Sequence, residues 1–206
     1  MEKDSFDTQA NRDDNSIEPE KKFMEISQNK DFNIKKEILE WVQAIVIAFV
    51  IALLIRTFVF SLIRVQGYSM IPTLQHNDRL IVTKLMYKPK QGDIIILRPP
   101  MHKNTYYVKR VIAVSGQTVD IDFKKHIVYV DGKALIENYV NEPIAQPGDI
   151  QFPRTVPENT VFVLGDNRND SRDSRYSDIG MVPYQSIIGK AIFRIWPINK
   201  LGSVYK

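Results

Sequence analysis

The stretch TYYVKRVIAVSG at residues 105–116 is the longest candidate β-strand in the chain. It is rich in β-branched and aromatic residues, which favour strands. Six shorter runs of similar composition are separated by Gly, Pro and Asp, at residues 78–85, 92–97, 118–122, 126–132, 160–165 and 187–195. This pattern predicts an all-β domain of mainly antiparallel sheet, built as a sandwich or a barrel. Residues 141–158 contain four prolines and are predicted to form an irregular loop.

Lys109 lies in the middle of this longest candidate strand. Alternation along a strand places Lys109 on the same face as Tyr107 and Val111, whereas Arg110 faces the other way. A lysine on an apolar face is costly unless its ammonium group reaches solvent or its pKa falls. Lys109 is therefore either an edge-strand lysine that reaches solvent or a neutral amine able to act as a general base.

An apolar segment, WVQAIVIAFVIALLIRTFVFSLIRV at residues 41–65, precedes the β-rich region. Gln43 is the only polar residue in its first fifteen positions, whereas a helix buried in a soluble core usually shows a polar stripe. The segment predicts a transmembrane helix over residues 39–63, with Trp41 at one interface and Arg56 reaching the headgroups. A cleaved signal peptide is the alternative. However, the polar region that precedes the apolar segment has about 40 residues, which is too long for the n-region of an ordinary signal peptide.

The charge distribution divides the chain into three parts. Residues 1–40 hold eleven acidic and seven basic residues, whereas the rest holds 13 acidic and 21 basic residues. We predict a polar, disordered cytoplasmic tail at residues 1–38, the transmembrane helix at 39–63 and an extracytoplasmic β-rich domain at 64–206. The bases Lys30, Lys35 and Lys36 favour a cytoplasmic N-terminus. With one transmembrane helix, the protein is predicted to be a single-pass protein of the plasma or inner membrane.

The composition excludes several kinds of site. The chain has no cysteine, which rules out disulfides, thiolate metal sites and a cysteine nucleophile. Its three histidines, His76, His102 and His126, are widely spaced, so a histidine-rich metal centre is not expected. The sequence pI of about 9.1 comes from bases spread along the chain, which does not indicate nucleic-acid binding. We expect neither a metal nor a cofactor.

Two further segments could carry chemistry. The segment GYSMIPTL at residues 67–74 places Ser69 close to the apolar segment; taken alone, it is typical of a linker turn. The segment GDNRNDSRDSR at residues 165–175 fails as a calcium loop because Arg168 stands where an oxygen ligand is required. Its alternating acids, bases and hydroxyls predict either a surface loop or a rigid polar network that supports a site.

Together these segments resemble the bacterial type I signal peptidases. The shared features, in order, are an N-terminal anchor followed by S-M-x-P-T-L, G-D-I, Y-x-V-K-R-V and G-D-N-R-x-x-S-x-D-S-R. The resemblance covers about residues 39–195. It implies a membrane-anchored serine endopeptidase that removes signal peptides from exported preproteins and cleaves after small residues at the −1 and −3 positions. Signal peptides, membrane lipid and the protein-export machinery are the partners it implies.

The resemblance also implies roles for individual residues. Ser69 matches the nucleophile and Lys109 the general base, while Ser171 matches a hydroxyl that hydrogen-bonds to the lysine and orients it. Asp173 and Arg175 match a supporting ion pair. Two further residues belong to the same network, Asp166 and Asn167.

The substrate is implied to bind as an extended strand beside the site. Met70 and Pro72 shape the turn that carries the nucleophile. The backbone N–H of Ser69 is a candidate donor to the oxyanion. Some family members carry a serine two positions before the nucleophile as a second donor, and this chain has glycine there. The implied substrate-binding residues are Gly67, Met70, Tyr107 and Val108.

Two alternatives remain open at this stage. The first is a membrane-tethered β-barrel that binds a ligand without catalysis, in which Ser69 and Lys109 would be dispensable. The second is a self-cleaving Ser–Lys protease of the repressor type, which has a related catalytic fold. Such proteases have a DNA-binding or short soluble N-terminal region, so the apolar segment at 41–63 argues against it.

Overall fold

The structure is a computed structural model that describes residues 34–84, 87–99, 101 and 105–205 of the 206-residue chain. Most of the predicted polar tail and His102 lie outside the described residues. Two compact units divide between Phe49 and Val50. The first described element is the helix α1, and the β-strands all belong to the second unit.

Helix α1 spans Ile34–Leu54 and continues as a π-helical turn over Ile55–Val59. The combined segment has 26 residues, a mean hydropathy of 2.6 over its most apolar window and no buried residue in that window. By length and composition it could cross a membrane, since about 20 apolar residues are needed. The helix begins at Ile34, five residues before the predicted start.

The predicted helical end at residue 63 is wrong. Residues Phe60–Arg64 form strand β1, which pairs antiparallel with Arg79–Thr83, and Phe60 lies opposite Thr83. The uncharged run continues to Ile63, so apolar composition gave no sign of the change from helix to strand. Pairing with a neighbouring strand provides hydrogen-bond partners for this backbone, which local composition does not reveal.

In the part of the chain that the structure describes, twelve strands follow the helix, and every pair between them is antiparallel. They are β1 (Phe60–Arg64), β2 (Arg79–Thr83), β3 (Ile94–Leu97), β4 (Tyr107–Val114), β5 (Thr118–Asp122), β6 (Ile127–Val130), β7 (Lys133–Ala134), β8 (Arg154–Thr155), β9 (Thr160–Leu164), β10 (Val182–Pro183), β11 (Ile187–Trp196) and β12 (Gly202–Ser203). Six of the seven predicted runs contain one of these strands, and β11 extends one residue beyond the seventh, which confirms the all-β prediction. Between residues 141 and 158 the only strand is the two-residue β8.

The strands form two sheets. The larger has the order β1-β2-β11-β3-β4-β9-β10, with β12 paired to β11, and the smaller has the order β7-β6-β5-β8. Strand β4 therefore lies inside the larger sheet, between β3 and β9. This central position buries both faces of β4, including Lys109 and Arg110.

Among the described residues, the core is divided into three apolar clusters that meet along β3 and β4. One cluster packs the smaller sheet against the Ile112 and Phe162 side of the larger sheet. A second surrounds Met70 and Leu74, and a third contains Val111 with residues of β3 and β9. A register shift between Val111 and Ala113 interrupts simple alternation, so Ile112 and Ala113 join the same cluster.

Candidate active site

Ser69 lies on a short turn that the core holds in place. The Ile71 N–H donates to the Tyr68 carbonyl at 3.1 Å, and the Leu74 N–H donates to the Met70 carbonyl at 2.8 Å. The side chains of Met70 and Leu74 are buried in the apolar cluster next to β2 and β3. The turn therefore presents Ser69, which is half-buried, from a rigid base.

Gly67 begins this turn with a φ angle of +94°, a conformation that favours glycine. Its N–H donates to Nδ1 of His76 at 3.2 Å, and the rings of His76 and Tyr68 lie 5.7 Å apart. His76 thus holds the segment that follows the serine turn close to Gly67 and Tyr68, the two residues before Ser69. This role of His76 was not predicted from the sequence, where the three histidines lie outside the conspicuous motifs.

Lys109 and Ser69 meet at hydrogen-bond distance although forty residues separate them in the chain. Nζ of Lys109 lies 2.6 Å from Oγ of Ser69 and 5.3 Å from the centre of the Tyr107 ring. Lys109 lies opposite Ile95 in the β3–β4 pair and is only 3% exposed. The interpretation as a solvent-reaching edge lysine is therefore wrong, because β4 is a central strand.

Burial lowers the pKa of Lys109 from 10.5 to about 8. The negative charge of Asp173 opposes this shift, whereas the positive charge of Arg175 adds to it. A substantial fraction of the lysine is therefore a neutral amine near pH 8. When Lys109 is neutral, the Ser69 hydroxyl can donate its proton to Nζ. Accepting this proton is the first requirement of a general base.

The segment 165–175 is organised by a buried ion pair. Nε of Arg175 donates to Asp173 at 2.8 Å, and neither side chain has exposed surface. Asp173 also accepts the Gly165 N–H at 3.0 Å, while Arg175 donates to the carbonyl of Gln146 at 2.7 Å. The pair therefore joins the start of the segment to its end and to the neighbouring loop.

This segment packs directly on the serine turn. The Asn167 N–H donates to the Ser69 carbonyl at 3.0 Å, and its side-chain amide donates to the Tyr68 carbonyl at 3.2 Å. A Cβ added at Gly165 would overlap Oγ of Ser171 and lie 2.5 Å from the Ser69 carbonyl oxygen. Glycine at 165 therefore permits the contact between the two segments.

Ser171 is buried beside Gly165, but the hydrogen bond to Lys109 that the resemblance implies is not made. Among the residues that the structure describes, its Oγ has no hydrogen-bond partner. Its hydroxyl instead packs against the Cα position of Gly165, while Nζ of Lys109 is bonded to Ser69.

A second buried ion pair holds the serine turn from another side. Nε and Nη2 of Arg110 donate to the two oxygens of Asp166 at 2.8 and 2.7 Å. Thr73 donates to the same carboxylate at 2.5 Å, and the Arg110 guanidinium lies 3.8 Å from the centre of the Tyr139 ring. The family resemblance implies a supporting role for Asp166, whereas its two partners, Arg110 and Thr73, and the Tyr139 ring against Arg110 were not predicted as site residues. An arginine inside an otherwise apolar strand was the available signal for Arg110.

The predicted substrate-binding residues differ in how far they are exposed to solvent. Met70 is 1% exposed and forms part of the core. Tyr107 and Val108 are half-buried, and Gly67 is exposed. Across the described residues, no group of three or more His, Cys, Asp or Glu side chains could hold a metal ion.

Comparison with known proteins gives a consistent result. The family model described as "Signal peptidase, peptidase S26" matches residues 38–196. Signal peptidase I of Leptolyngbya laminosa is 41% identical over 178 residues, covering 81% of this chain and 84% of that protein. Signal peptidase I of Bacillus licheniformis is 38% identical over 187 residues, covering 85% of this chain and 98% of that protein. These matches favour the peptidase resemblance over the two alternatives.

Among solved structures, a signal peptidase I from Enterococcus faecalis V583 is 34% identical to this chain. The match covers 50% of this chain and 97% of that chain, with a TM-score of 0.43.

Replacing Asp173 with asparagine tests the energetic weight of the buried ion pair. Asp173→Asn leaves the Arg175 charge buried without its counter-ion, which we expect to lower the free energy of unfolding by about 3–5 kcal/mol. Urea unfolding of the full chain in a neutral detergent measures the change. Asp122→Asn removes the charge of a half-buried carboxylate whose partner, Lys125, is exposed, and it should leave the unfolding curve nearly unchanged. Equal effects of the two substitutions would contradict this assignment.

Proposed function

The chain belongs to the signal peptidase family, peptidase S26, and is a serine peptidase that removes signal peptides; on this premise we propose that Ser69 is its nucleophile and Lys109 its general base. The observation that carries the proposal is the 2.6 Å distance between Lys109 Nζ and Ser69 Oγ. A serine hydroxyl becomes an effective nucleophile only when a base removes its proton. Lys109 is buried in direct contact with that hydroxyl, and burial lowers its pKa to about 8.

Acylation begins when the neutral amine of Lys109 accepts the Ser69 proton. Oγ then attacks the carbonyl carbon of the scissile peptide, and the carbonyl oxygen takes up negative charge. The lysine, now an ammonium group, donates its proton to the leaving amine of the mature protein. A water molecule, activated by the same neutral lysine, hydrolyses the acyl-enzyme and releases the signal peptide.

The oxyanion of the tetrahedral intermediate requires hydrogen-bond donors. The backbone N–H of Ser69 is the donor we propose, since the turn from Gly67 to Leu74 fixes its direction. Gly67 has no side chain to contribute, and its own N–H is bonded to His76. A second donor must therefore come from another backbone group or from water.

The surrounding polar residues act in this proposal by positioning the dyad. Asn167 donates to the carbonyl groups of Ser69 and of the preceding residue, Tyr68. Asp166 accepts a hydrogen bond from Thr73, four residues after Ser69. The Asp173–Arg175 pair holds the segment that carries Asn167. Ser171 fills the space beside Gly165 and provides a hydroxyl near the dyad.

The preprotein binds as an extended strand, with small residues at the −1 and −3 positions, beside the Ser69 turn. Tyr107 and Val108 form one wall of this site, and Gly67 lets the substrate backbone approach closely. Met70 supports the wall from within the core. Each of these assignments extends the family's activity to particular residues of this chain.

The apolar segment Ile34–Val59 crosses the membrane once in this proposal, with the N-terminus in the cytoplasm and the β-domain outside. Membrane lipid and the protein-export machinery are then natural partners, because the substrate emerges from that machinery at the same surface. Lys35 and Lys36 at the start of α1 support this orientation.

Two substitutions test the dyad. Ser69→Ala removes the nucleophile, and Lys109→Met replaces the base with an apolar side chain that its buried site can accept. We expect a loss of at least about 100-fold in the processing rate of a preprotein in detergent for either variant. Lys133→Met is the matched control, because Lys133 is exposed on the smaller sheet. Processing at the wild-type rate by either dyad variant, with unchanged thermal unfolding, would refute the assignment.

Protease accessibility tests the orientation. In intact protoplasts that carry the protein with an N-terminal epitope, added proteinase K should digest the β-domain and leave the epitope protected. The positive-inside rule is the reason for this expectation. A cytoplasmic protein that stays intact confirms that the membrane is sealed. Digestion of the epitope while the β-domain survives would show the opposite orientation.

A further inference from the structure

A cavity of about 730 Å³ lies on the Arg110 side of β4. Its walls include three basic residues, Arg110, Arg194 and Lys200, and three polar residues, Asn138, Tyr139 and Asn199. We call it the basic pocket. Lys109 and Arg110 are consecutive residues of a central strand, so their side chains point to opposite faces of the sheet. The basic pocket is therefore distinct from the Ser69–Lys109 dyad.

The charge of the basic pocket is unbalanced. No Asp or Glu is among the described residues that line it. Asp166 and Asp78 neutralise the two arginines from positions outside the lining. Lys200 lacks such a partner among the described residues: its exposed ammonium donates to the neutral amide of Gln75 at 2.7 Å. One positive charge thus remains without a counter-ion in a concave, partly enclosed site.

Arg194 is built into the wall rather than lying on the surface. It is 8% exposed and donates to the Thr73 carbonyl at 2.7 Å, with Asp78 at 3.1 Å. Its Nε is buried and has no acceptor among the described residues. The arginine is therefore held rigidly at the cavity wall, which lowers the entropy lost when a ligand binds there.

The lining indicates the class of ligand. The Lys200 ammonium and the side-chain amides of Asn138 and Asn199 come from separate segments around one space, which suits a phosphate with several oxygens to be bonded at once. The Arg110 guanidinium already donates to Asp166 and to the Gly92 carbonyl, so it contributes to the wall and not to the free donors. The rings of Tyr139 and Tyr205 and the side chain of Leu201 provide apolar surface beside them. The cavity is larger than an inorganic phosphate ion requires. We propose that the basic pocket binds the phosphate of a small organic phosphate, either free or as the headgroup of a phospholipid.

The basic pocket is connected to the serine turn by shared residues. Thr73 and Arg110 line the pocket and both bond to Asp166, while Thr73 belongs to the turn that carries Ser69. A bound phosphate would therefore lie next to groups that hold the nucleophile in position. The proposal concerns binding and holds independently of the peptidase mechanism.

Calorimetric titration with glycerol 3-phosphate tests the site. The full chain in a neutral detergent, at constant ionic strength, should bind one equivalent saturably. Lys200→Gln removes the uncompensated charge and should weaken binding about tenfold, the loss expected for one charge-assisted hydrogen bond. Lys133→Gln removes the same charge from the smaller sheet and should leave the affinity unchanged. A second titration uses detergent micelles containing phosphatidylglycerol.

The outcomes separate the two sources of phosphate. Saturable binding of glycerol 3-phosphate that Lys200→Gln weakens selectively supports a free organic phosphate. Binding of only the phosphatidylglycerol micelles, again weakened selectively by Lys200→Gln, supports a lipid headgroup. The proposal is overturned if neither probe binds saturably, or if Lys200→Gln and Lys133→Gln have equal effects. Because Lys200 is exposed, loss of folding is not expected, and thermal unfolding of the variant checks this.

Discussion

The hydrogen bond between Lys109 Nζ and Ser69 Oγ is the contact around which the β-domain is arranged. It joins a turn near the start of the domain to the central strand β4, and it requires a lysine to be buried. Burial of both faces of β4 supplies the desolvation that lowers the pKa of this lysine. The central position of the strand is therefore a condition for the proposed chemistry as well as for the fold.

Two buried ion pairs stabilise the segments around Ser69 and Lys109 without cancelling the lowered pKa of the lysine. Asp166 is paired with Arg110 and Asp173 with Arg175, so neither carboxylate is left as an uncompensated counter-ion for Lys109. Both carboxylates still raise the pKa of the lysine, but desolvation has the larger effect. The same ion pairs fix the backbone on two sides of Ser69. Electrostatic tuning and positioning are thus performed by one set of side chains.

The sequence revealed most of the strands because their composition and the Gly and Pro residues between them are local signals. Prediction from the sequence failed where the secondary structure depends on pairing between distant strands. Residues 60–63 are apolar enough for a helix, yet they pair with β2. Both Lys109 and Arg110 are buried, which alternation alone could not show because it does not reveal that β4 is a central strand. The network around Asp166 includes Thr73 and Tyr139, which meet only through long-range packing. Family resemblance predicted the Ser69–Lys109 dyad, whereas the contact of Ser171 with Gly165 required coordinates.

Direct titration of the Lys109 side chain tests the central claim, that burial lowers the pKa of this lysine enough to leave a substantial fraction as a neutral amine near pH 8. The protein is labelled with ¹³C at the lysine Cε positions, and the Lys109 signal is identified by its absence from Lys109→Met. Folding depresses the pKa, so the neutral form should predominate above the midpoint and the ammonium form below it. The account predicts a midpoint near pH 8, and cleavage activity that rises with pH through the same midpoint. A midpoint near the ordinary lysine value of about 10.4 would contradict it.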